Sequence, residues 1–363
     1  MTRNLTLSIV IALVSTSCYY NDVIPPNQNV WPIAHPEHME MESELLLQMD
    51  SVLKGNTLEG ITSVVVIKDG HLVFENYYFG YDRRTLFPLG GLSSSLVNLA
   101  LGRAIDMGLI DSVQDSIYKY FPEYVQLFED SPLKKNITFE NLMTMKAGLS
   151  WNEIGSTFDR NQSDITQILI SEDWVEYLLS KPVDVLPGRR FTYNSAMAIL
   201  IASAIDSQYE AGYQVFWEKE VLSQMGVTHS ELAIEGGNIN PAWGISMTTL
   251  DLAKIGYLYL HQGNWFGQQL INREYAISSV VPQVSVDFIN QYGWMWWQYA
   301  SRNNFLYMLD ENDVFFATGN GDQRLYVVPH LDLVVAITGS DEIIDFSIPA
   351  SFIFRDYILL AMQ

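Results

Sequence analysis

The sequence predicts an α+β fold in which one antiparallel sheet is built from both ends of the chain. Helices flank the sheet, an all-helical lobe is inserted between the two ends, and a cleft lies where the parts meet. Three observations lead there. The segment "ITSVVVIKDGHLVFENYY" carries two β-branched and aromatic runs joined by Asp69-Gly70, a strong hairpin signal. Strand patterns return late, in "QYGWMWWQY", "RLYVV" and "LDLVVAIT". From about Leu92 to about Val280 helical patterns dominate, so the two strand-rich ends must find each other across an insertion. With 363 residues, 48% of them hydrophobic, the chain has apolar surface for a large core or two packed layers sharing a cleft.

The first segment reads as an export signal. Arg3 precedes the apolar run Leu5 to Val14 and then "STSC": a basic start, an apolar stretch too short to span a bilayer, and a small-residue end. Cys18 is the only cysteine. "LVSTSC" resembles the lipobox of bacterial lipoproteins, with Ser15 where leucine is usual. That resemblance implies lipidation at Cys18, anchoring to a membrane, and a place in the bacterial cell envelope, on the periplasmic face or the cell surface. An ordinary signal peptide cut near the same point is the alternative. Residues 19–40 carry Pro and Asn and no periodicity, as a tether would.

Residues 41–54 read as an amphipathic helix. After the hairpin, "TLFPLGGLSSSLVNLALGRA" places three serines at the mouth of an apolar helix. Such serines are helix caps and cleft-lining groups by preference, or else nucleophiles. In "ITFENLMTMKAGL", Thr138 is expected to cap, Glu140 to sit at the positive helix end and Gly148 to close the helix. Alternation puts Trp294 and Trp296 on one strand face and Trp297 and Tyr299 on the other, as core or as a ligand wall. "SIPASFIFRDYILLAMQ" closes the chain as an apolar helix. One domain over 41–363 follows, with an α/β lobe at about 41–90 and 285–363 and a helical lobe at about 91–284.

A formal net charge of −22 excludes nucleic acid as a partner, since phosphate binding needs clustered Lys and Arg. His35 and His38 lack a third ligand, and His71, His229, His261 and His330 are scattered. No metal and no cofactor is expected.

Five segments, in order, resemble the serine-hydrolase family of class C β-lactamases, penicillin-binding proteins and related esterases. They are "ITFENLMTMKAGLSWNE", "LLSKPVDVLPGRRFTYNSA", "WGISMTTLDLAKIGYLYLHQGNWFGQQLI", "YGWMWW" and "ATGNGDQRLYVVPHLDLVVAIT". The resemblance implies the two-lobed layout already read from periodicity, and acyl transfer through three motifs. The first is Ser-x-x-Lys, whose spacing sets both side chains on one helix face. Here Gly91 stands in the nucleophile position and Ser94 in the lysine position, and no other register supplies a lysine. The second, Tyr-x-Ser, is kept as Tyr193-Asn194-Ser195. Its tyrosine works as a base only beside a cation, and the nearest in sequence are Arg189 and Arg190. The third, a cleft-bordering strand of the form A-x-G-x-G-G-Q that supplies part of the oxyanion hole, matches Ala317 to Gln323. Gly319 and Gly321 suit close backbone approach to a ligand, while Asp322 adds negative charge where an oxyanion would form.

Losing the nucleophile alone costs a serine hydrolase about six orders of magnitude in turnover. The sequence therefore points to a catalytically inactive member that binds a peptide, a peptidoglycan fragment, an ester-like molecule or a partner. Two alternatives stand beside it: an active hydrolase with a relocated nucleophile, Ser93 or Ser94 helped by Tyr193, and a structural envelope protein with a vestigial cleft.

Overall fold

The computed structural model describes residues 31–55, 60–153, 163–300, 313–340 and 349–362. Cys18, the signal segment and the first part of the tether lie outside the described residues. Among those residues no helix is long and apolar enough to cross a membrane.

The hairpin forms as its sequence dictates. Strands β1 (Ile61–Lys68) and β2 (His71–Tyr77) pair antiparallel, and the turn between them has φ +48° at Asp69 and +70° at Gly70. Two consecutive left-handed residues match the twist of the flanking strands, which is why Asp-Gly serves here. Six further strands complete the sheet: β3 (Val284–Ser285), β4 (Asn290–Tyr292), β5 (Trp297–Tyr299), β6 (Phe315–Gly319), β7 (Gln323–Val328) and β8 (Leu333–Gly339). Their spatial order is β3-β4-β5-β6-β7-β8-β1-β2. The two chain ends join at β1 and β8, antiparallel, with Val65 opposite Ala336.

Both faces of the central strands are covered, so β1 and β8 are apolar without alternation. Val64 and Val66 face one layer with Val335 and Ile337. Against them pack helix α1 (Ser43–Gly55), through Leu46, Met49 and Leu53, and the C-terminal helix that begins at Ala350–Ile353 and runs on to Met362. Val65, Ile67, Val334 and Ala336 face the opposite layer and the main core.

The expected tether and lobe limits both need correction. Residues 31–40 are docked rather than free-running: Trp31 is buried 5.0 Å from the Tyr257 ring, and Pro32 and Ala34 exchange backbone hydrogen bonds with Leu72. The lone bulky tryptophan gives this stretch an anchor that composition obscured. Helix α4 (Thr249–Leu260) falls inside the expected helical lobe yet packs on the sheet, where Gly256 lies against Val334 and Leu325. Around the buried helix α2 (Ser93–Asp106) and helix α3 (Met197–Gln208), both lined with apolar residues, the helical lobe proper assembles.

Thr138 caps the helix Phe139–Met143 through a reciprocal pair with Asn141. Gly148 does not close that helix, which ends five residues earlier. Its left-handed backbone instead lets the chain pass Val185 closely.

Candidate active site

The turn Gly90–Leu92 leads directly into α2. Leu92 is already helical and the Ser93 N–H bonds back to Gly90 and Gly91, so the serines occupy the first turn and not the cap. This corrects the expectation that they cap. Ser93 and Ser94 hydroxyls are buried without a hydrogen-bond partner, and Ser95 donates to the Met295 carbonyl at 2.5 Å. Gly91, Ser94 and Asn98 follow one another along one face of this segment, and of the three only Gly91 reaches the cleft. Asn98 lies in the core, accepting from Tyr259 and donating to Tyr275 at 3.0 Å.

The cleft has a volume of about 420 Å³. Gly91 and Tyr193 form one side, Trp297 the wall, and the end of β6 with its turn the floor: Thr318 through Asp322, then Arg324. A Cβ placed on Gly91 would stand 3.2 Å from the Tyr193 hydroxyl and 3.6 Å from the Thr318 carbonyl oxygen. Position 91 thus faces Tyr193. One side chain is missing there. Gly319 makes the close approach required of it: a Cβ would overlap the Leu89 carbonyl oxygen at 1.9 Å, so β6 abuts the turn that carries Gly91.

Among the described residues no cation acts on Tyr193. Burial holds its hydroxyl well above the ordinary tyrosine range, and the Glu153 carboxylate pushes the same way. Arg189 and Arg190, the cations nearest in sequence, are exposed and do not offset that shift. Ser195 is buried, and its hydroxyl donates to Glu153 Oε1 at 2.5 Å, away from the cleft lining. Trp151 Nε1 and the Ser195 backbone N–H donate to the other Glu153 oxygen, at 2.5 and 3.3 Å. Burial raises the Glu153 carboxyl above its usual range against these three donors, and Asp164 adds to the rise.

Asp322 is not a bare charge. Its carboxylate accepts from Arg324 Nη2 at 2.8 Å and from the Ala350 N–H, the start of the C-terminal helix, at 2.5 Å. With φ +60° it holds a left-handed conformation, the reason a glycine is usual at this place in the motif. Gln323 is buried and bonded both ways to the Gly339 backbone, at 2.8 and 3.2 Å.

The aromatic run behaves differently from a simple strand. Met295 at φ +62° breaks the alternation, so β5 starts only at Trp297. Trp294 and Trp296 are core, against Tyr275 and Tyr259, while Trp297 stands 6.0 Å from the Tyr193 ring. Sequence reasoning assigned no role to Glu153 or Arg324. Arg324 adjoins the third motif, and Glu153 closes the first resembling segment, so their nearness to the motifs was the available signal.

Among the described residues no group of three or more His, Cys, Asp or Glu could hold a metal.

Comparison with known proteins matches the beta-lactamase family model over residues 58–342. A curated relative, beta-lactamase-like protein 2 of Dictyostelium discoideum, is 22% identical over 238 residues. That match takes in 62% of this chain and 41% of the relative, so the chain spans about two fifths of the length of the curated protein it matches. Among solved structures, the octameric penicillin-binding protein homologue from Pyrococcus abyssi superposes with a TM-score of 0.66 at 18% identity, covering 88% of this chain and 77% of that one. EstCE1, a hydrolase with promiscuous acyltransferase activity, gives 0.68 at 14% identity, covering 88% and 98%. At such identities these two likenesses establish the fold alone.

Proposed function

The chain belongs to the beta-lactamase family, and from that premise we propose that it is a non-acylating member whose cleft is kept for binding. In this reading it is an exported envelope lipoprotein, anchored through Cys18, whose ligand is a peptide, a peptidoglycan-like fragment or an ester-like molecule. The observation that carries the reading is Gly91 facing Tyr193: a Cβ at that position would lie 3.2 Å from the tyrosine hydroxyl. Glycine offers no atom to form an acyl-enzyme. Ser94, one turn on, offers no positive charge, and the charge that Tyr193 senses is that of a carboxylate. A base whose protonated form is favoured by burial and by an anion does not activate a nucleophile at neutral pH.

A relocated nucleophile finds no support in the geometry. Ser93, Ser94 and Ser95 are at most 3% exposed, and none lines the cleft.

The test is covalent labelling of the full chain with a fluorophosphonate and with a labelled penicillin, read by intact mass. No adduct is expected. An adduct mapped to Ser93, Ser94 or Ser95 overturns the proposal.

A further inference from the structure

The walls of this cleft carry a charge imbalance. Gly91, Tyr193, Trp297, Thr318, Gly319, Asn320 and Gly321 bear no charge at neutral pH, and Asp322 and Arg324 cancel in a direct 2.8 Å pair. What remains is Glu153 behind Tyr193. Its three hydrogen bonds come from donors, as an ionised carboxylate requires, and among the described residues no lysine or arginine forms an ion pair with it.

The polar atoms turned to the space beside Gly91 are oxygens. A heavy atom where the missing side chain would begin lies 3.2 Å from Tyr193 Oη and 3.6 Å from the Thr318 carbonyl oxygen. Ser94, one turn along from Gly91, lies outside the cleft lining, and its buried hydroxyl has no partner among the described residues. The Thr318 carbonyl can only accept and the protonated Tyr193 hydroxyl keeps a lone pair, so this space suits a group with several donors and no acceptor, and an ammonium has three.

The aromatic wall points the same way. Trp297 lines the cleft with Tyr193, and is backed by Tyr292 at 4.7 Å and Phe191 at 6.4 Å between ring centroids. A tryptophan face favours a desolvated cation. The net charge of −22 brings cations to the surface in the first place.

We propose that the cleft selects ligands carrying an ammonium group, which sits beside Gly91 between Tyr193 Oη and the Thr318 carbonyl, against Trp297. The ligand supplies the positive charge that the chain's own Ser94 does not. This rests on the reading of the cleft as a binding site, and it names the chemical class that the site takes.

The test compares benzylammonium with benzyl alcohol, two probes of nearly one shape, on the folded full chain at pH 7 and low salt, by ligand-observed NMR titration. Benzylammonium is expected to bind at least tenfold more tightly. Glu153→Gln should cut that preference several-fold. Ser94→Lys, which places an ammonium in the same space, should abolish benzylammonium binding while a thermal melt reports a folded chain. If Glu153→Gln fails to fold, the Ser94→Lys comparison decides alone. Equal affinities, a preference for the alcohol, no binding of either probe, or an ammonium preference undiminished in Ser94→Lys overturns the proposal. Covalent labelling by fluorophosphonate would instead remove the non-acylating reading, and leaves the ammonium preference measurable by competition in the same sample.

Discussion

A methyl group on Gly91 would stand 3.2 Å from the hydroxyl of Tyr193. A side chain at position 91 would therefore be in contact with Tyr193. Restoring the nucleophile alone, as Gly91→Ser, is nevertheless expected to leave the chain unlabelled by fluorophosphonate. Burial and Glu153 hold Tyr193 protonated, so at pH 7 even an ordinary tyrosine's phenolate fraction of about one in a thousand is an upper bound. The double variant Gly91→Ser with Ser94→Lys adds the missing cation and should give an intact-mass adduct at residue 91. Labelling of the single variant would show that Tyr193 is not what limits the site.

Gly319 decides whether β6 can touch the turn that carries Gly91. Its Cβ position lies 1.9 Å from the Leu89 carbonyl oxygen, a backbone atom with no freedom to rotate away. Gly319→Ala should push strand and turn apart at a cost of about 3 kcal/mol or more, the upper range for overpacking. Thermal unfolding would register a fall of roughly 2–4 °C per kcal/mol. An unchanged melting temperature would mean that the two segments are not pressed together.

Asp322 and Arg324 behave as one unit with the C-terminal helix. Removing only the cation, as Arg324→Met, leaves a nearly buried carboxylate facing the Ala350 N–H alone, an arrangement that costs about 3 kcal/mol. Asp322→Gly gives up the helix contact but relaxes a backbone held at φ +60°. The double variant should then be less destabilised than the sum of its singles, by at least about 1 kcal/mol in a denaturant-based cycle. Strict additivity would show that the pair is a surface contact of no consequence.

The parts of this molecule that were legible in its sequence are those where local chemistry and final position coincide. Asp69-Gly70 specifies a left-handed turn, and the turn fixes β1 against β2. Strand-rich ends can bury their apolar faces only by pairing, as β1 and β8 do. Gly91 faces Tyr193 in the cleft. What stayed hidden depends on contacts between distant segments. Glu153 meets Ser195 across 42 positions, and neither residue carries a spacing that announces the other. Met295 is an unremarkable residue type whose left-handed backbone ends the alternation, so Trp294 and Trp296 turn into the core while Trp297 keeps to the cleft. The capping preference of serine was real, but the turn Gly90–Leu92 had already begun the helix before Ser93 was reached.

Glu153 finally gives the molecule a pH dependence whose sign follows from its position. Its folded-state pKa lies above the usual value because burial opposes its charge more than Ser195 and Trp151 favour it. Between the unfolded and the folded pKa the native state holds more protons at this group than the unfolded state does. Its contribution to stability therefore falls as pH rises through that interval, and the full cost is present above the folded pKa. Below the unfolded pKa the group is protonated in both states and contributes no such cost. Glu153→Gln removes this titration while keeping a polar side chain of the same size. The stability of Glu153→Gln relative to the parent should rise from acid toward neutral pH, starting from about 4.5, the ordinary value for glutamate, and then level off. Urea unfolding of both chains at intervals between pH 4 and pH 8 checks this. A difference that is flat, or that falls as pH rises, would mean that the hydrogen bonds from Ser195 and Trp151 outweigh the burial and hold the carboxylate comfortably ionised.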